Sequence, residues 1–124
     1  MNFLAHVYLS GDHTELAIGN LIADRVKGKN MDWLPLEMQK GVLLHRAIDQ
    51  FTDQHPLFKG CVSLLFPKYR HYSRVIVDMY FDHFLAVHWK QFHKIPLQDY
   101  ANSFYQKLQE AAVDFPEPLQ KFSN

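Results

Sequence analysis

Apolar side chains along this chain return every three to four positions, the period of an α-helix, and strand-like alternation is scarce. Gly11, Gly28, Pro35, Pro56, Pro67, Pro96, Pro116 and Pro118 cut the pattern into stretches of helical length. The pattern predicts helices over 3–9, 14–27, 35–54, 57–66, 71–92 and 97–112. Asp12 with Glu15 three positions later reads as a capping box opening the second helix, and Gly28 suits its C-terminal end. Pro35 fits the first turn of the third helix, and Pro56 lies just past its end. The expectation is one all-α domain over 1–124, with six helices.

Two of these helices carry polar residues against an apolar background. On the third, Leu44, Ala47, Ile48 and Phe51 fall on one stripe at about 100° per residue and are expected to face the core. His45, Asp49 and Asp53 follow at i, i+4 and i+8, within an arc of about 80° on the flank of that stripe. Asp49 and Asp53 are like charges one turn apart, which costs an isolated helix about 0.2–0.5 kcal/mol. A cation between them removes that cost; an acidic solvated edge with Arg46 as counter-charge is the plainer reading. The fifth helix is apolar on nearly all sides, from Val75 to Trp89, and is expected to be central and buried. It nevertheless carries Asp78 and Asp82, and buried carboxylates need a partner or a metal. Arg74 lies one turn before Asp78 and offers such a partner, whereas Asp82 has no base at the matching position on its own helix. His83 and His88 follow, and a single histidine on an apolar face is more often a hydrogen-bonded core residue than a ligand. The second helix adds Asn20 and Asp24, and the short first segment adds His6.

Composition narrows the chemistry. Thirteen basic and thirteen acidic residues give a formal net charge of zero, against a general nucleic-acid binder. A single Cys excludes an internal disulfide and a Cys-rich zinc site, and suggests a reducing compartment. The N-terminal residues lack the basic and apolar regions of a signal peptide, and no apolar run is long enough to span a membrane. The expectation is a cytoplasmic protein with neither a nucleic-acid nor a membrane partner. No Gly-rich phosphate loop, nucleophile elbow, zincin motif or Glu-x-x-His pair is present. What is left is His and Asp on several mostly apolar helices, an oxygen-and-imidazole donor set that suits Mn²⁺, Mg²⁺ or Fe²⁺.

Met1–His6, the run Gly19–Asp24, the run His45–Asp53 and the run Asp82–Trp89 resemble, in order and spacing, the motifs of the bacterial acyl carrier protein phosphodiesterases, over essentially the whole chain. The resemblance implies a helical relative of the HD-domain phosphohydrolases. It implies hydrolysis of the phosphodiester joining 4′-phosphopantetheine to a serine of holo acyl carrier protein, with a divalent metal, typically Mn²⁺. Carried over by motif, the metal ligands are His6, Asp24, His45, Asp49 and Asp82, with Asp53, Asp78 and His83 as second choices or as groups that orient ligands. Asp24 and Arg46 are the candidate catalytic residues, with Arg46 or Arg25 set against the phosphate. Two basic clusters, Arg25, Lys27 and Lys29, and Lys68, Arg70 and Arg74 with His71, are candidate docking points for an acidic carrier. Family members continue for further helices beyond the point where this chain stops, so a C-terminally truncated domain, with a tendency to homo-oligomerise, is expected. Two other readings stay open: a phosphohydrolase acting on a nucleotide or small phosphoester, and a carrier-binding or oligomerising helical domain without turnover.

Overall fold

The computed structural model describes residues 3–113 and 115. The elements run α1 (Phe3–Leu9), α2 (Thr14–Ile22), a 3₁₀ turn (Ala23–Arg25), α3 (Leu36–Gln54), α4 (Pro56–Tyr69), α5 (Tyr72–Val87), α6 (Trp89–Phe92) and α7 (Leu97–Ala112). No strand occurs among the described residues, so the all-α expectation holds there. No helix is long and apolar enough to cross a membrane. The segment 116–124 lies outside the described residues.

Several boundaries shift for local reasons. The second helix stops at Ile22 rather than Lys27: the chain tightens into the 3₁₀ turn and Val26 is extended. Gly28 sits in the following loop at φ +71°, a left-handed conformation that glycine adopts without strain. The Asp12–Glu15 capping box does not form, because His13 occupies the N-cap and makes no side-chain cap bond. The fourth helix runs on to Tyr69 through Pro67. The fifth breaks at His88 into α5 and α6.

The core is built on α2, which buries Ala17, Ile18, Leu21 and Ile22 against Met38 and Val42 of α3 and Leu108 and Ala112 of α7. Two glycines set the α2–α3 crossing. A Cβ on Gly41 would lie 2.2 Å from the Leu16 carbonyl oxygen, and one on Gly19 would lie 2.1 Å from that of Met38. The two backbones therefore touch where any side chain would hold them apart. This contact fixes the rotation of α3. Its buried positions are Met38, Gly41, Val42, His45 and Thr52, whereas Phe51 is 71% exposed and Ala47 is exposed. The expected core stripe is thus displaced, and His45 lies on the buried face rather than on its flank.

α5 differs more. Only Ser73 and Val77 are buried, and Tyr72, Val75, Met79, Tyr80, Phe84 and Val87 are exposed. It packs on α4 and on α1 but is not the central helix its composition predicts. Beyond it, Trp89 is buried and donates Nε1–H to the Ile95 carbonyl at 2.7 Å, and the Tyr8 hydroxyl donates to the Phe92 carbonyl at 3.0 Å. The second of these bonds ties α1, the carrier of His6, to α6.

Candidate metal centre

His6 is 0% exposed at the middle of α1. Its carbonyl accepts from Ser10 Oγ at 2.8 Å and from Asn20 Nδ2 at 3.0 Å, and the same Nδ2 donates to Ser10 Oγ at 3.0 Å. Asn20 lies one residue after the Gly19 contact, and His45 lies one turn after Gly41. The close crossing therefore brings these two side chains together. His45 Nδ1 is 2.9 Å from the Asn20 carbonyl oxygen and 3.1 Å from Asn20 Oδ1.

Both of those neighbours are acceptors, so His45 Nδ1 carries the proton. In the neutral ring the lone pair is then on Nε2. That nitrogen faces Asp49 Oδ2 at 3.1 Å and Asp24 Oδ1 at 3.3 Å. Asp49 turns its other oxygen to His6 Nε2, also at 3.1 Å. The His6 and His45 rings stack with centroids 3.9 Å apart and planes 12° from parallel. One carboxylate thus spans two stacked imidazoles, and a second, on the 3₁₀ turn, closes the edge. One ligand atom each from His6, His45 and Asp49 falls within 4.8 Å of the others.

The electrostatics leave this cluster short of positive charge. Burial pushes the His6 pKa below its ordinary value, positive charge on His45 would add to the shift, and Asp49 opposes it only in part. His6 therefore favours its neutral form. Its Nδ1 is buried and has no hydrogen-bond partner among the described residues. A lone pair aimed at two carboxylates is unfavourable, and either a proton on that nitrogen or a cation among the three groups relieves it. The donor set of two imidazoles and carboxylate oxygens, without thiolate, suits a divalent first-row ion. The bonds from Asn20 to His45 are of the kind that fix a ligand's tautomer and aim.

The remaining candidates lie around this cluster. The Asp24 side chain is 73% exposed, so it stands at the mouth of the site. Arg46 donates Nη2–H to the Val26 carbonyl at 3.3 Å, tying α3 to the chain just after the 3₁₀ turn that carries Asp24. Asp53, one turn beyond Asp49, is paired with Arg74 of α5 at 2.7 Å. Arg74 thus reaches across to α3, and its guanidinium also covers the Phe58 ring at 5.5 Å. Asp78 and Asp82 are half-buried on α5, each with one carboxylate oxygen shielded from solvent, outside the three-residue cluster. His83 is exposed against Phe84. Arg25, Lys27 and Lys29 are exposed and continue from Asp24, while Lys68 and Arg70 are exposed at the α4–α5 turn. Ser10 and Gly41 escape the sequence reading, and Gly19 enters it only as the first residue of a family run. An isolated glycine inside an otherwise helical stretch is the signal that points to such a crossing.

The family model for acyl carrier protein phosphodiesterases matches residues 1–124. The chain belongs to that family. It is 41% identical over 91 residues to an acyl carrier protein phosphodiesterase of Yersinia pestis, covering 73% of this chain and 47% of the relative. It is 32% identical over 124 residues to the protein of that name from Pectobacterium atrosepticum, covering 99% of this chain and 64% of the relative. With the Enterobacter sp. protein the identity is 32% over 125 residues, and the shares are 100% and 63%. The chain therefore spans between about half and just under two-thirds of these relatives' length. No solved structure is a significant match, and the HD-domain kinship expected from the resemblance gains no support from that side.

Proposed function

We propose that the chain is a divalent-metal-dependent phosphodiesterase that releases 4′-phosphopantetheine from the serine of holo acyl carrier protein. Two lines support the reading: the family to which the chain belongs, whose curated members carry that name, and the cluster of His6, His45 and Asp49. The observation that carries it is the orientation of His45. With its proton held on Nδ1 by Asn20, its Nε2 lone pair meets two carboxylate oxygens. That arrangement makes sense as a ligand set.

In this reading His6, His45 and Asp49 hold the ion and Asp24 closes the set at its exposed edge. A divalent ion, Mn²⁺ by preference with Mg²⁺ or Fe²⁺ as alternatives, supplies Lewis-acid polarisation of a phosphoryl oxygen and a lowered pKa for a nearby water. Asn20 keeps His45 in the productive tautomer. Asp24, the most solvent-accessible acid of the group, accepts the proton of the attacking water. The new bond forms between that water oxygen and phosphorus, and the bond from phosphorus to the serine oxygen breaks. The serine takes up the proton that Asp24 accepted and leaves as its hydroxyl, and 4′-phosphopantetheine carries the phosphate away. Arg46 holds the 3₁₀ turn in place, while Arg25, Lys27 and Lys29, next in sequence to Asp24, offer positive charge to the phosphate and to an acidic carrier surface.

The test is a mass measurement on holo carrier protein incubated with the chain and Mn²⁺. The expected result is loss of the phosphopantetheine mass, abolished by a chelator and by Asp24→Ala. Retention of the group beside an active longer relative overturns the reading. Full activity in Asp24→Ala overturns the role given to that residue.

A further inference from the structure

The outer side of α5 stands apart from everything the metal centre uses. Tyr72, Val75, Met79, Tyr80, Phe84 and Val87 are between 49% and 72% exposed, and at helical spacing they spread over about half of the helix circumference, with Ser73 buried and Ile76 and Ala86 half-buried between them. Besides the hydroxyls of Tyr72 and Tyr80, the exposed polar side chain in that arc is His83. The charged residues of the same helix lie on the other side: Arg74 is drawn to Asp53, and Asp78 and Asp82 are half-buried. No fixed charge therefore keeps the stripe in water.

We propose that this face pairs two copies of the chain. The area is of the right size. At ~150–250 Å² for each aromatic ring and less for Val and Met, the exposure of the six side chains leaves roughly 300–700 Å² of mostly apolar surface per chain, which exposed leucines of α4 enlarge. A stable interface buries about 800 Å² per partner, and a lone patch of this size is large for a monomer. Leu57 and Leu64 are also exposed on α4, the helix that packs beside α5, and extend the same apolar character. The absence of charge argues against an acidic or basic partner and favours a like surface. One stripe along one helix is self-complementary under a two-fold axis, so the contact closes at two copies.

The test is light scattering on the intact chain across a micromolar concentration series. The expected mass is that of two chains. Met79→Glu, at an exposed position in the middle of the stripe, is expected to weaken pairing at least about 30-fold with helical circular dichroism unchanged. Val75→Lys reads the same effect from the edge if Met79→Glu loses helicity. Tyr105→Glu, exposed on α7 and off the stripe, is expected to stay paired. A monomer at every concentration overturns the proposal and leaves the face to another occupant, such as added chain of the kind the longer relatives carry. A dimer indifferent to both α5 substitutions places the contact elsewhere, and open-ended aggregates contradict a closed two-fold contact.

Discussion

Asn20 is the residue on which the site's geometry turns, although it offers no charge and no obvious ligand atom. Its amide bonds the His6 carbonyl and the Ser10 hydroxyl, and its two oxygens lie against His45. Asn20→Ala leaves several buried polar groups unsatisfied, and we expect a loss of about 1–3 kcal/mol in stability. Because it also frees the His45 tautomer, Mn²⁺ affinity is expected to fall by about 10–100-fold. Chemical denaturation and a metal titration read the two effects separately. Asp24→Asn tests the opposite balance. The side chain is largely exposed, so stability without metal is expected to change by no more than about 0.5 kcal/mol, while Mn²⁺ binding weakens. His6 sets a pH dependence. Its pKa is lowered in the folded chain, so the unfolded chain takes up the proton first. Its contribution to stability is then complete above the ordinary value of 6.5 and is lost as pH falls through the lower folded-state value. Denaturation midpoints measured in chelator from pH 8 downward should therefore drop below 6.5, and His6→Gln should flatten that drop.

At the scale of elements, the helices are legible because their apolar spacing and their Gly and Pro punctuation are local properties. The rotation of α3 is not local. It depends on the backbone contact between Gly19 and Gly41, a pairing of positions on two helices that neither helix displays alone. That contact turns His45 inward and Phe51 outward, the reverse of what the Leu44–Phe51 stripe suggests. Gly41→Ala is expected to destabilise the fold by at least about 1–3 kcal/mol, since its Cβ meets backbone rather than a movable side chain. Gly60→Ala on α4 is the matched control. Nothing lies within 4 Å of its added Cβ, and the better helix former should stabilise the chain by about 0.5–1 kcal/mol. Thermal melts of the two variants give opposite signs if the crossing is as tight as described. The expected burial of α5 fails for a different reason. Its all-round apolar composition signals burial, and composition cannot say whether the covering surface belongs to the same chain or to another.

At the scale of the whole molecule, zero net charge conceals a deliberate separation. Acidic and imidazole groups converge at the meeting of α1, α2 and α3, the basic run from Arg25 to Lys29 lies next to them, and α5 carries an uncharged outer face. The sequence names His6, Asp24, His45 and Asp49 through the family resemblance, and spacing on α3 alone already pairs His45 with Asp49. The bridging of two helices by one carboxylate, and the roles of Asn20 and Ser10, come only from the fold, because they rest on contacts between residues far apart in the chain. Asp82, carried over from its family motif, lies on α5, half-buried and apart from the group of His6, His45 and Asp49. In the proposed function the cluster of His6, His45 and Asp49 holds a divalent ion. A Mn²⁺ titration followed by electron paramagnetic resonance tests it most directly: free-ion signal should vanish stoichiometrically with the wild-type chain and with His83→Ala, and persist with His45→Ala and with Asp49→Ala. Undiminished free Mn²⁺ signal in the wild-type chain, or equal uptake by His45→Ala, contradicts it.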